Sequence, residues 1–132
     1  MSVDYDRGLV FVPTGSATPD FFGKDRAGTN LFANTLLALD ASTGERHWEF
    51  DPFVAGAEVR QGGTSRGVTY WADGDDRRIF ATGGSKLFAL NANTGRLIDT
   101  FGTAGVVDLH DGLDAGRDVS DLFIISNTPG II

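Results

Sequence analysis

The sequence predicts an all-β fold made of short antiparallel strands that recur as similar units along the chain. Its apolar runs are short and either continuous or alternating, which is typical of strands. No segment of ten or more residues keeps the 3.6-residue period of an amphipathic helix. Glycine contributes 18 of 132 residues, about twice its average share. Such glycines indicate many tight turns between short elements.

The first half of the chain predicts three strands. Residues 8–13 form a brief apolar run that ends at Pro13, as expected for a buried strand. Residues 31–40 are apolar and lead into a turn at residues 42–44. Residues 47–50 alternate between polar and aromatic side chains, so they predict the strand that returns from this turn.

The second half predicts the same arrangement again. Residues 78–81 and 86–90 are strands separated by the turn-forming Gly83 and Gly84. A turn at residues 93–95 follows, and residues 97–101 predict the return strand. A last apolar run covers residues 122–125.

An internal repeat carries most of the fold prediction. Residues 38–44 (ALDASTG) match residues 89–95 (ALNANTG), 51 positions later. The Asp or Asn side chain can bind its own backbone, and Gly44 and Gly95 supply the positive φ of the turn. A repeat of roughly 40–50 residues is typical of β-propeller blades, which are four-stranded antiparallel sheets. Trp48, just after the first turn, is predicted to be buried between blades.

The chain is too short for a closed propeller, because it holds about two to three blades and rings have about four to eight. Each end of such a unit would expose an apolar face, which favours association. We therefore expect a homo-oligomer, either a closed ring of about three to four chains or a domain-swapped form. The alternative is that the sequence is a piece of a longer protein.

Composition excludes several classes of function. The formal net charge is −7 and the pI is near 4.5, which argues against nucleic acid and anionic membranes as partners. There is no cysteine, so disulfides and thiolate metal sites are excluded. No run approaches the roughly 20 apolar residues of a membrane helix. The first residues lack the basic and apolar regions of a signal peptide.

Several motifs together carry a resemblance to a known family. Residues 38–48 (ALDASTGERHW) resemble the tryptophan-docking motif of quinoprotein dehydrogenases, which are eight-bladed propellers that bind pyrroloquinoline quinone (PQQ) and a divalent metal. Four further segments resemble the membrane-bound glucose dehydrogenase branch: residues 12–21, 30–34, 64–71 and 90–109. The resemblance implies a periplasmic protein that oxidises a sugar or alcohol with PQQ, together with a cation such as Ca²⁺ or Mg²⁺.

The order of the segments differs from the order in that family. Residues 1–50 resemble a later blade segment and residues 51–132 an early one, so residues 1–132 are read as a single partial propeller unit. The join falls between Trp48 and Pro52. This order predicts a permuted, spliced or rearranged sequence rather than a plain truncation.

The resemblance also implies which residues would meet the cofactor. Arg66, in the Ser65-Arg66-Gly67 segment, matches an arginine that lies beside the quinone, where a guanidinium can pair with carboxylates and a quinol oxyanion. Thr128 matches a threonine that forms a hydrogen bond on the quinone side. Ser16 stands where the alcohol-oxidising branch has a metal-binding asparagine, and serine is a poor substitute on a hard cation.

No residues match the family's metal-binding Glu or its general base, so the sequence predicts no metal site and leaves the catalytic residues unassigned. Asp20 and Asp25 are read as solvated loop carboxylates. Three functions stay open: an incomplete piece of a PQQ-dependent dehydrogenase, a non-catalytic blade module that assembles with itself, and a PQQ or sugar binder without turnover.

Overall fold

The computed structural model describes residues 1–15, 31–54, 67–124, 126 and 128–131. Within these residues there are eight strands and no helix. The strands form two four-stranded antiparallel sheets, each with its strands in chain order. The predicted all-β fold of four-stranded antiparallel blades is therefore confirmed, and two blades are present.

Each sheet is a meander in which consecutive strands pair. The N-terminal sheet comprises β1 (Ser2–Asp4), β2 (Leu9–Pro13), β3 (Leu36–Asp40) and β4 (Arg46–Phe50). The C-terminal sheet comprises β5 (Thr69–Asp73), β6 (Asp76–Gly83), β7 (Lys86–Asn91) and β8 (Val106–Asp108).

Two of the predicted strands need correction. The strand predicted at residues 31–40 begins only at Leu36, since residues 31–34 form a turn. The return strand predicted at residues 97–101 is wrong, because only Leu97 bridges to β7 and the chain then turns. The fourth strand is β8 instead. Phe101 packs its ring 5.5 Å from that of Phe80, so its apolar character reflects packing of a turn onto the sheet.

The hydrophobic core lies between the facing surfaces of the two sheets, which we call the inner faces. Phe50 and Phe88 meet across it edge to face, with ring centroids 5.2 Å apart. The buried apolar residues on the two inner faces are Leu9, Phe11, Leu36, Ala38, Trp48 and Phe50 on one side and Ile79, Ala81, Phe88 and Leu90 on the other.

The two repeated turns have the same hydrogen bonds, which confirms the internal repeat as a structural repeat. The Asp40 carboxylate accepts the backbone N–H groups two and three residues later, and Asn91 does the same in the second turn. In the first turn the backbone N–H of Thr43, followed by the hydroxyl and N–H of Ser42, lowers the pKa of Asp40 to about 2. Gly44 and Gly95 follow with φ of 74° and 68°.

Candidate functional site

Trp48 joins the two sheets. Its Nε1–H donates a 3.0 Å hydrogen bond to the Ala92 carbonyl in the second repeat turn, and its ring is 5.8 Å from that of Phe11. A Cβ placed on Gly95 would lie 2.7 Å from Trp48 Cδ2, so the indole lies directly against that glycine. Trp48 is 8 % exposed, which confirms that it is buried between blades.

A polar contact joins the sheets at their other side. The Asp4 side chain on β1 is 1 % exposed and lies 3.2 Å from Arg77 Nη1 on β6. Burial alone would raise the pKa of Asp4. Hydrogen bonds from Tyr70 and the Arg7 N–H, with the charge of Arg77, hold that pKa below its usual value. Asp4 and Arg77 are 73 positions apart, so no local sequence pattern could have paired them.

Thr128 borders an open cavity of about 380 Å³ on the side of the C-terminal sheet that faces away from the core. The floor is apolar and includes Trp71, Phe80 and Phe101. Arg78 lies over the Trp71 ring, 5.4 Å from its centroid. The Arg78 guanidinium also forms a bidentate contact with Asp76, with Nη2 to Oδ2 at 2.6 Å.

Arg66, the other residue predicted to meet the cofactor, lies outside the described residues, as do Ser16, Asp20 and Asp25, to which the sequence assigned no site role. Among the residues that the structure does describe, no group of three His, Cys, Asp or Glu side chains could hold a metal ion. The acidic run at residues 73–76 is the turn between β5 and β6, with Asp73 paired to Asp76.

His110 fastens the loop that follows β8. Its Nδ1 is 2.7 Å from the Asp108 carboxylate, and its Nε2 is 3.0 Å from the Leu122 carbonyl. The Leu122 carbonyl, followed by Asp108, raises the pKa of His110. Both ring nitrogens thus face acceptors, which only the imidazolium satisfies, since neutral imidazole has one N–H.

The contacts of His110 with the Asp108 carboxylate and the Leu122 carbonyl should depend on pH. A raised folded-state pKa means that the stabilisation is fully present below the ordinary value of 6.5 and is lost as pH rises through the folded-state pKa. We expect amide exchange in residues 111–122, corrected for the intrinsic rate, to become faster over that rise. His110→Gln should remove this pH dependence and His47→Gln should retain it. An unchanged profile in His110→Gln would contradict the assignment.

The whole chain is similar to a single family. Residues 1–53 and 38–132 match the family described as PQQ: Glucose/ethanol/alcohol dehydrogenase, beta-propeller domain. The chain belongs to this family. The quinoprotein family and the β-propeller architecture expected from the sequence are thereby confirmed.

Quinoproteins of known activity are similar to this chain over part of their length. The quinoprotein glucose dehydrogenase of Escherichia coli is 34% identical over 104 residues, covering 67% of this chain and 13% of that protein. The quinohemoprotein alcohol dehydrogenase ADH IIB of Pseudomonas putida is 31% identical over 130 residues, covering 96% of this chain and 17% of that protein. The chain therefore spans only a small share of these relatives. No solved structure matches it.

The cavity beside Thr128 does not fit PQQ. The quinone carries several carboxylates, which require unpaired cations or N–H donors. Among the described residues that line this cavity, Arg78 is the one charged side chain, and Asp76 already neutralises it. A quinone site at this cavity would therefore depend on residues outside the described ones, such as Arg66. In the described residues, no helix is long and apolar enough to cross a membrane.

Proposed function

We propose that this chain is a two-blade unit of a periplasmic PQQ-dependent dehydrogenase that oxidises a sugar or alcohol, and that it is incomplete as a catalyst alone. The observation that carries the proposal is the Trp48 junction, which joins two four-stranded sheets of a quinoprotein chain through a repeated turn. The similar glucose and alcohol dehydrogenases supply the substrate class. When bound, PQQ would accept the hydride from the substrate carbinol.

The described residues support a scaffolding role more directly than a chemical one. They contain no candidate metal cluster, and the cavity beside Thr128 lacks the cations that the quinone needs. We assign quinone contact to Arg66, and we assign the metal ligands and the general base to blades outside this unit. Within this unit, the Trp48 junction and the Asp4–Arg77 ion pair would keep neighbouring blades in register.

A chimera tests the proposal. The two blades would replace the aligned stretch of the Pseudomonas putida quinohemoprotein alcohol dehydrogenase, whose alignment covers 96% of this chain, and PQQ-dependent dye reduction with an alcohol would be measured. We expect the chimera to be active. Arg66→Ala in the chimera should lose activity by about 10²-fold or more, the scale for removing one charge-stabilising donor. Arg96→Ala, on an exposed turn residue, is the matched control.

A folded chimera without activity, or an Arg66→Ala chimera as active as its parent, would contradict the proposal. The chain alone, with PQQ and Ca²⁺, should show no alcohol-dependent dye reduction. Saturable quenching of its tryptophan fluorescence by PQQ without turnover would favour the alternative of a PQQ binder.

A further inference from the structure

Each sheet has a second face that points away from the core, which we call its outer face. Side chains alternate between the two faces of a strand, so the residues between the core residues form this outer face. On both sheets it is apolar and partly exposed. On the N-terminal sheet the outer face carries the partly exposed Val3, Val10, Val12 and Leu39, together with Leu37, which is buried. On the C-terminal sheet it carries Thr69, Trp71, Phe80, Thr82 and Leu87, with Phe101 packed beside them.

The internal repeat shows how these two outer faces are related. Because Ala38 corresponds to Ala89, Leu39 on the outer face of the N-terminal sheet corresponds to Leu90 on the inner face of the C-terminal sheet. In the same way, Leu36 on an inner face corresponds to Leu87 on an outer face. The two outer faces are thus the counterparts of the two inner faces that already pack together in the core.

Corresponding hydrogen bonds extend this relation beyond the sheets. Ser2 on β1 donates its hydroxyl to the Val68 carbonyl, in the segment that leads into the next sheet. Thr69, at the start of β5, donates its hydroxyl to the Gly130 carbonyl at 2.7 Å. Ser2 and Thr69 are equivalent because they pair with Phe11 and Phe80, the partners of the repeated alanines.

Residues 128–130 therefore lie against the C-terminal sheet as residues 67–68 lie against the N-terminal sheet. Pro129 is in contact with Gly67, since a Cβ on Gly67 would lie 3.0 Å from Pro129 Cγ. The outer face of the C-terminal sheet is therefore equivalent to the inner face of the N-terminal sheet, which already packs against a four-stranded sheet.

We propose that copies of this chain associate head to tail. The outer face of the C-terminal sheet of one copy packs against the outer face of the N-terminal sheet of the next, and this contact repeats the packing of the core. A contact between two different surfaces either closes into a ring or continues as a filament. With two blades per copy, a ring of about four to eight blades needs about two to four copies.

The contact between copies should be weaker than the junction inside each copy. Ala38 pairs with Trp48, whereas the equivalent Ala89 donates its N–H to the Gly105 carbonyl. Glycine thus stands where the joining tryptophan would be. An interface of roughly 600–800 Å² per partner is sufficient for specific association, but without a counterpart of Trp48 we expect it to depend on concentration in the micromolar range.

Sedimentation equilibrium over a concentration series tests the association. We expect the mean mass to rise above 14.0 kDa with concentration. The rise should be larger at high salt, because the net charge of −7 makes copies repel and salt screens that repulsion. A single ideal 14.0 kDa species at every concentration would overturn the proposal. The measurement needs no quinone, so its outcome is independent of the proposed dehydrogenase function.

Two variants test the head-to-tail arrangement. Val10→Glu places a charge on one outer face and Phe80→Glu on the other, and Leu113→Glu, an exposed loop residue outside both faces, is the control. Each face variant alone should be monomeric. Their mixture should form a one-to-one dimer, because each retains the face that the other lacks. The control should associate like the parent chain.

Other outcomes would overturn this arrangement. Dimers of Val10→Glu alone would indicate contacts between two like faces, and association of both variants alone would indicate domain swapping. A mixture that stays monomeric would also contradict it. Circular dichroism confirms that each variant is folded, and Leu87→Glu replaces Phe80→Glu if the latter does not fold.

Discussion

Replacing Trp48 with alanine should lower the free energy of unfolding by about 3–5 kcal/mol, the range for deleting a buried aromatic side chain. The indole lies between the sheets, against Phe11 on one side and Gly95 on the other. Its loss opens a cavity in the main interface of the molecule and leaves the Ala92 carbonyl without its donor. Urea denaturation followed by circular dichroism measures the effect.

The second tryptophan provides a matched control. Trp71 lies on the outer face, where Arg78 covers its ring, so Trp71→Ala should cost about 1 kcal/mol. Trp48→Phe keeps an aromatic ring but loses the hydrogen bond to Ala92, and should cost about 1–2 kcal/mol. A loss in Trp71→Ala as large as that in Trp48→Ala would show that the two sheets are not held together through Trp48.

The repeated turn is the feature that the sequence predicted best. The Asp or Asn side chain and the glycine form a local unit, and local hydrogen bonds determine its geometry. Both turns have the predicted positive φ at glycine. The tryptophan that follows the first turn was also predicted correctly as buried, because a large aromatic residue at this place on a blade has to pack against the next blade.

The fourth strand of the C-terminal sheet could not be predicted in the same way. Residues 97–101 are rich in the apolar and β-branched residues of a strand, but Phe101 packs onto Phe80 of the sheet from a turn. The short β8 pairs with β7 over only three residues, which is too few for a periodic pattern to identify. Long-range packing decided this part of the fold.

Only those site residues that belong to a recognisable motif could be predicted from the sequence. Thr128 does border a cavity, but the apolar floor of that cavity and the pairing of Arg78 with Asp76 were not visible in the sequence. The Asp4–Arg77 ion pair depends on the stacking of two sheets, since its partners lie on β1 and β6. Contacts of this kind follow from the fold and not from spacing along the chain.

The two repeat glycines should respond differently to valine, although both variants should be destabilised. No described atom lies within 4 Å of a Cβ added to Gly44. Only the positive φ opposes the substitution there, and it should lower the free energy of unfolding by about 1–2 kcal/mol. At Gly95 the positive φ causes the same strain, and a new side chain would also overlap the Trp48 ring. This overpacking should cost about 1–3 kcal/mol more. We therefore expect Gly95→Val to cost about 2–5 kcal/mol in urea denaturation.

A double-mutant cycle with Trp48→Ala isolates the contact between the indole and the glycine. Removing the indole frees the space that valine needs at position 95, so Gly95→Val in the Trp48→Ala background should cost only about as much as Gly44→Val. Gly44→Val and Trp48→Ala should be additive within about 0.5 kcal/mol, because they share no partner. Additivity of Gly95→Val with Trp48→Ala would mean that the indole does not lie against Gly95 in solution, and the Trp48 junction would then be wrong.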